Sequence, residues 1–206
     1  MTLALESRLW LASVACLFAC FILGYIASNA ATLWRIDIEA AALRGTGVPL
    51  AALFTLSGRA FPLCCIALVG IGVTTLTRTG WKIAIAIAVT QLLSQGGAEF
   101  AKRLFARTRP DAWLVKREFG FSFPSGHATT AVVFYASWAV LVWVSQLRGD
   151  VKVALVALIA IWAAGIDWSR IALGAHYPTD VAGGTLFGSA CAFAMWALLV
   201  RTAVVV

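Results

Sequence analysis

Arg170, His176 and Asp180 stand in one short stretch, Ser169-Arg170-Ile171-Ala172-Leu173-Gly174-Ala175-His176-Tyr177-Pro178-Thr179-Asp180, set between two long apolar runs. Proline favours the first turn of a helix, where its missing N–H costs nothing. A helix starting at Pro178 puts His176 just ahead of its positive end and Asp180 in its first turn, within reach of the ring. Arg170 closes the preceding run and faces the same pocket across a short loop. An anion held by Arg170 and the helix N-terminus would lie beside a histidine oriented by a carboxylate. The competing reading is a connecting loop whose charges face water.

Two further clusters carry related chemistry. Lys102 is followed, after six residues, by Arg109-Pro110. One cation at a helix end and another in a proline-stiffened loop can clamp phosphate oxygens from two directions; the alternative is a basic interfacial anchor. Pro124-Ser125-Gly126-His127 opens an apolar run. Gly126 permits close backbone approach, Ser125 can donate or cap, and the helix N-terminus favours an anion. A plain helix cap with a surface histidine is the alternative there.

The elements that must position these residues are greasy. The 206 residues are 62% hydrophobic and 12% charged, with mean hydropathy +0.91, which excludes an ordinary soluble globular domain. The formal charge of +7 has no contiguous basic face outside the membrane, so it points to anionic headgroups or a phosphorylated lipid and away from nucleic acid. Cys16, Cys20, Cys64, Cys65 and Cys191 all lie in apolar runs and read as small packed thiols, not disulfides or metal ligands.

A membrane span takes about 20 apolar residues. Six are expected: Leu9 to Ala27, Ala60 to Leu76, Ile83 to Phe105, Ala128 to Leu147, Val151 to Trp168 and Val181 to Val200. The first is longer than the ~7–15-residue core of a signal peptide and is kept as a span, although Ala27-Ser28-Asn29-Ala30 offers small residues for cleavage. Trp34 to Glu39 suits an interfacial segment, and Val48 to Leu56 reads as an interfacial extension of the second span. Gln91, Gln95, Glu99 and Lys102 form one polar stripe at helical spacing. It should face the bundle interior, as a hydrogen-bonding seam for the glutamines and with Lys102 at the exit. The fold class is therefore all-α: a polytopic membrane protein of one domain (residues 1–206), six transmembrane helices in one bundle. That topology puts both termini on one side and brings Lys102, Arg109, Ser125 and the Arg170–Asp180 stretch onto the other.

Together, Lys102-x6-Arg109-Pro110, Pro124-Ser125-Gly126-His127 and Ser169-Arg170-x5-His176-x3-Asp180 resemble the three-part signature of the type 2 phosphatidic acid phosphatase family. Its superfamily also holds bacterial acid phosphatases and vanadium haloperoxidases. Every signature position is matched, over Lys102 to Asp180. The resemblance implies a lipid phosphatase in which His176 attacks phosphorus, Asp180 holds the proton on its other nitrogen, and His127 protonates the leaving oxygen and then activates water. Lys102, Arg109, Ser125, Gly126 and Arg170 would neutralise the phosphoryl oxygens. No cofactor is implied. Two histidines, few carboxylates and no spacing suited to zinc or magnesium predict a metal-independent reaction, and two acting histidines predict a bell-shaped pH profile.

A phosphotransferase would use the same site, and an anion carrier would also use intramembrane cations, though a carrier does not explain two histidines and a carboxylate. A haloperoxidase of this superfamily is expected to be soluble. Six Lys or Arg fall on the terminus side and ten, Lys116 and Arg117 among them, on the side of the three clusters; setting aside Lys102, Arg109 and Arg170 brings the two sides close to parity, and the charge rule no longer decides orientation. The resemblance places the site on the outer face of the cell membrane with cytoplasmic termini. Trp113, Phe119, Phe121 and Phe123 are placed at the mouth of the pocket or as interfacial anchors. The substrate lipid stays open among phosphatidic acid, phosphatidylglycerophosphate, polyprenyl diphosphate and phosphorylated lipid A.

Overall fold

A computed structural model describes residues 2–110, 114 and 118–202; the expectations for Trp113, Lys116 and Arg117 lie outside them. The helices are α1 (Thr2–Asn29), α2 (Arg35–Glu39), α3 (Val48–Ser57), α4 (Ala60–Leu76), α5 (Trp81–Phe105), α6 (Gly126–Thr130), α7 (Ser137–Val144), α8 (Gly149–Ala172) and α9 (Pro178–Arg201). A π-helical stretch, Ala131–Ala136, joins α6 to α7, so that Gly126–Val144 is one span. Among the described residues, five helices are long and apolar enough to cross a bilayer, and a sixth if the bent pair Arg35–Leu43 and Val48–Ser57 counts as one. The expected second span, α4, is apolar but only 17 residues long, roughly 25 Å at 1.5 Å per residue. The chain is a multi-pass, all-helical membrane protein.

Small residues decide how the helices meet. Without a hydrophobic drive between helices in lipid, close approach and interhelical hydrogen bonds hold a bundle together. Gly184 and Gly188 lie along α9 and remove the side chains that would keep α6 away. A Cβ at Gly184 would stand 2.3 Å from the Ser125 carbonyl oxygen, and one at Gly188 2.9 Å from that of Thr129. In the space so made, Thr129 Oγ1 donates to the Gly184 carbonyl at 3.2 Å. On the other flank of α9, Ser13 of α1 donates to the Ala190 carbonyl at 2.8 Å.

The two glutamines of the α5 stripe turn inward, whereas Glu99 does not: its side chain is 63% exposed. Gln91 Nε2 donates to Thr130 Oγ1 at 2.8 Å, and Gln95 Nε2 reaches both the Gly126 carbonyl (3.2 Å) and Thr130 Oγ1 (3.1 Å). These bonds fix the height of α6 against α5. An apolar core of Ile83, Ile87, Phe134, Leu141, Ile166, Met195 and Trp196 fills the bundle below this seam.

Three expectations are corrected. Val48 to Leu56 is no extension of α4. It is a helix of its own, set at 113° to the preceding Arg35–Leu43 segment, because Gly45 and Gly47 turn the backbone at φ of +82° and +56°, where glycine pays no steric penalty. Phe54 of α3 packs beside Gly165 of α8, with Trp162 edge-on at 4.9 Å. Phe123 is fully buried, not at a mouth: it wedges against Gly24 and Gly183 and meets Phe105 edge-on at 5.1 Å. Cys64 and Cys65 are exposed on α4, facing outward from the bundle rather than packed within it.

Candidate active site

The turn between α8 and α9 is built by its last helical carbonyls. Gly174 takes φ +68°, the left-handed residue that commonly ends a helix. The chain then folds back, so that Ala175 and His176 both donate their N–H groups to the Arg170 carbonyl, at 3.0 and 3.1 Å. His176 is thereby held beside Arg170. Pro178 occupies the first turn of α9, and the Asp180 carboxylate accepts the Tyr177 N–H at 2.9 Å.

His176 is 3% exposed. Its Nδ1 lies 3.4 Å from Asp180 Oδ2, without the alignment of a hydrogen bond. Its Nε2 lies 3.0 Å from Arg109 Nη1. A guanidinium can only donate, so Nε2 presents its lone pair and the ring proton resides on Nδ1, facing the carboxylate. Burial, then Arg170 and Arg109, push the imidazole well below its usual range, with Glu118 partly opposing them. The group is neutral, and its lone pair points at a cation.

Asp180 is held less by His176 than by Arg107. Arg107 Nη1 reaches Asp180 Oδ1 and Thr179 Oγ1, both at 2.6 Å, while Nη2 reaches Asp37 Oδ2 at 2.8 Å. Thr179 also donates to Asp37, and the guanidinium lies over the Tyr177 ring at 4.6 Å. The segment read as interfacial thus sends Asp37 into the protein, where it is 1% exposed. The one available signal was a carboxylate in a segment otherwise suited to the surface.

The second histidine lies across the pocket. Ser125 caps α6, its hydroxyl accepting the Ala128 N–H at 3.4 Å, and its own N–H donates to the Asp180 carbonyl at 2.9 Å. The two chain segments are thus pinned together. His127 Nε2 donates to the Thr55 carbonyl at 3.2 Å, since a carbonyl can only accept. It interacts electrostatically with Arg170, Glu118 and His176. The ring rests on Gly58, where a Cβ would fall 2.5 Å from Cδ2.

Of the expected cations, Arg109 and Arg170 meet at this centre. Arg170 is 1% exposed and donates through Nη1 to Thr55 Oγ1, while its buried Nε has no hydrogen-bond partner among the described residues. Arg109 is anchored by the Gly120 and Ala175 carbonyls, at 3.1 Å each. Lys102 pairs with Glu99 at 2.5 Å, and its Nζ lies 3.8 Å from where a Gly126 Cβ would be. Glu118, missed by the sequence reading, sits between the two arginines. Thr55 was missed too, because Val48 to Leu56 reads from the sequence as an interfacial extension of the second span. Among the described residues no three His, Cys, Asp or Glu side chains gather in a way that would hold a metal ion.

The chain is 37% identical over 102 residues to the lipid A 1-phosphatase of Rhizobium johnstonii, covering 45% of this chain and 38% of that protein. It is 40% identical over 82 residues to phosphatidylglycerophosphatase B of Escherichia coli, covering 39% and 30% respectively. The chain thus spans well under half the length of these curated relatives. Its fold is similar to the crystal structure of a transmembrane PAP2-type phosphatidylglycerolphosphate phosphatase from Bacillus subtilis, with TM-score 0.74, 23% identity, and coverage of 90% of this chain and 94% of that one. The family model described as the PAP2 superfamily matches residues 79–203, which take in all three polar clusters and α5 through α9, and the chain belongs to that superfamily.

Proposed function

We propose that this protein is an integral-membrane lipid phosphatase that hydrolyses a phosphomonoester or terminal diphosphate of a lipid through a phosphohistidine intermediate, without a metal. The observation that carries the reading is the lone pair of His176 Nε2, 3.0 Å from Arg109 Nη1, in a pocket shared with the buried Arg170. The names of the relatives in Rhizobium johnstonii and Escherichia coli support a lipid-borne phosphate as substrate.

In the first step His176 Nε2 attacks phosphorus, the phosphorus–oxygen bond to the lipid breaks, and the leaving oxygen takes a proton from His127. With Nε2–H held by the Thr55 carbonyl, His127 exchanges its proton at Nδ1. In the second step that nitrogen accepts a proton from water, whose oxygen attacks the phosphohistidine and releases inorganic phosphate. Asp180, 3.4 Å from His176 Nδ1, stabilises the positive charge that the ring acquires. Arg109, Arg170, Lys102, Ser125 and the Gly126 N–H take the phosphoryl oxygens. Charge stabilisation of this kind supplies much of phosphoryl-transfer catalysis.

The test is phosphate release by the purified full chain from a panel of phosphatidic acid, phosphatidylglycerophosphate, polyprenyl diphosphate and phosphorylated lipid A, followed by acid quench of a labelled reaction. Wild type forms an acid-labile phosphoenzyme and frees phosphate; His176→Ala does neither. Turnover by His176→Ala at the wild-type rate would refute the mechanism, and transfer to an acceptor lipid without free phosphate would make the protein a phosphotransferase. We place the site on the outer face, with cytoplasmic termini. In a cysteine-free background, Arg35→Cys should then label with an impermeant maleimide in intact cells and Arg148→Cys should not; the reverse pattern would invert the orientation.

A further inference from the structure

Glu118 stands where an incoming anion would go. Its Oε1 lies 2.5 Å from Arg170 Nη2 and its Oε2 3.3 Å from Arg109 Nη1. One carboxylate thus gives an oxygen to each of the two guanidinium groups assigned above to the phosphoryl group. Carboxylate and phosphate offer arginine the same kind of paired acceptors. Both imidazoles also feel the Glu118 charge. Burial pushes the Glu118 carboxyl upward, but the Arg170 guanidinium outweighs it, with smaller help from His127 and His176, and holds the group down at about 2. It is therefore an anion at every working pH.

We infer that Glu118 is a specificity-determining residue: an internal counter-anion of one negative charge that must be displaced from Arg109 and Arg170, so that the site admits phosphoryl groups carrying two negative charges and rejects singly charged phosphodiester headgroups. This rests on the reading of the site as a lipid phosphatase. The physical basis is an exchange. A phosphodiester brings one charge and replaces one, with no Coulombic gain to offset desolvation. A phosphomonoester carries about −1.5 to −2 at pH 7, with a second pKa of about 6, and gains where the diester does not. A terminal diphosphate gains likewise. The filter suits an enzyme whose pocket opens onto a bilayer crowded with phosphodiester lipids, where size and apolar tails do not separate substrate from solvent lipid.

The experiment compares wild type, Glu118→Gln and Glu118→Asp, as full chains in mixed micelles at pH 7, with phosphatidic acid as substrate and phosphatidylglycerol as the phosphodiester probe. Glu118→Gln should lower the inhibition constant of phosphatidylglycerol at least tenfold and lower KM for phosphatidic acid by a smaller factor, with Glu118→Asp between. Equal inhibition of wild type and Glu118→Gln, or weaker inhibition of the variant, would overturn the inference. If wild type releases no phosphate, the functional reading fails separately, and retention of labelled phosphatidylglycerol against phosphatidic acid by immobilised protein still decides the role of Glu118 by the same two outcomes. Wild type alone gives an independent check that needs no folded variant. Its binding preference for phosphatidic acid over phosphatidylglycerol should collapse between pH 7 and pH 5, as the monoester takes up its second proton. A preference that persists at pH 5 would also overturn the inference.

Discussion

Arg107 lies 2.6 Å from Asp180, with the guanidinium 6% exposed and the carboxylate not at all. The same guanidinium holds Asp37 at 2.8 Å, so one cation compensates two buried carboxylates from distant parts of the chain. Removing one partner of a buried pair leaves an uncompensated charge and typically costs about 3–5 kcal/mol. Arg107→Met is therefore expected to lower the thermal stability of the solubilised protein by about that much, and Asp37→Asn by less, because Arg107 keeps Asp180. Unfolding monitored in detergent checks the order of the two.

The electrostatics of His176 set one limb of the pH profile. Attack requires the neutral ring, and the folded protein holds its pKa well below 6.5, so the acid limb of kcat/KM is expected below pH 6.5. Replacing Arg109 with Gln removes a positive charge from beside the ring. That favours the protonated form and raises the pKa, so the limb moves toward higher pH while the rate falls. The same depressed pKa bears on stability. The unfolded chain binds a proton at His176 more readily than the folded one, so stability is full above about pH 6.5 and is lost as pH falls through the folded value. A limb that stays in place in Arg109→Gln would disprove the pairing.

Gly58→Ala introduces a Cβ 2.5 Å from Cδ2 of His127. The ring must turn, and its bond to the Thr55 carbonyl lengthens. A misplacement of about 1 Å can cost roughly 100-fold in rate, so kcat should fall by one to two orders of magnitude with little change in unfolding temperature. Steady-state kinetics beside a melting curve distinguish this from misfolding.

Gly184→Ala acts on backbone instead of a side chain. The new methyl would meet the Ser125 carbonyl at 2.3 Å, and neither helix can rotate it away. Overpacking of this kind costs about 1–3 kcal/mol. Both the melting temperature and kcat are expected to drop, since Ser125 and His127 ride on the displaced segment.

Metal removal should leave the activity unchanged. Positive charge at the site comes from Arg109, Arg170 and Lys102, so phosphate release in excess EDTA is expected to equal that of the untreated protein, with no gain on adding magnesium. Strict dependence on an added divalent ion would count against the mechanism.

What could be read along the chain was everything that repeats or sits close in sequence. Apolar runs of bilayer length mark the spans, and Gln91 and Gln95 mark an inward face, because helical spacing alone sets both. The geometry of His176 before Pro178 and Asp180 was equally legible, since a helix start places residues a few positions apart. Tertiary structure decided the rest. Asp37 meets Arg107 across 70 residues, and Arg170 meets Thr55 across 115, distances over which spacing carries no information. Val48 to Leu56 looked interfacial because it is short and apolar, and only its packing against α8 brings Thr55 to both His127 and Arg170. Nothing in the spacing around Glu118 marked it. It took the folded chain to set that carboxylate between two arginines, because buried cations of one sign draw in whichever anion the backbone can deliver.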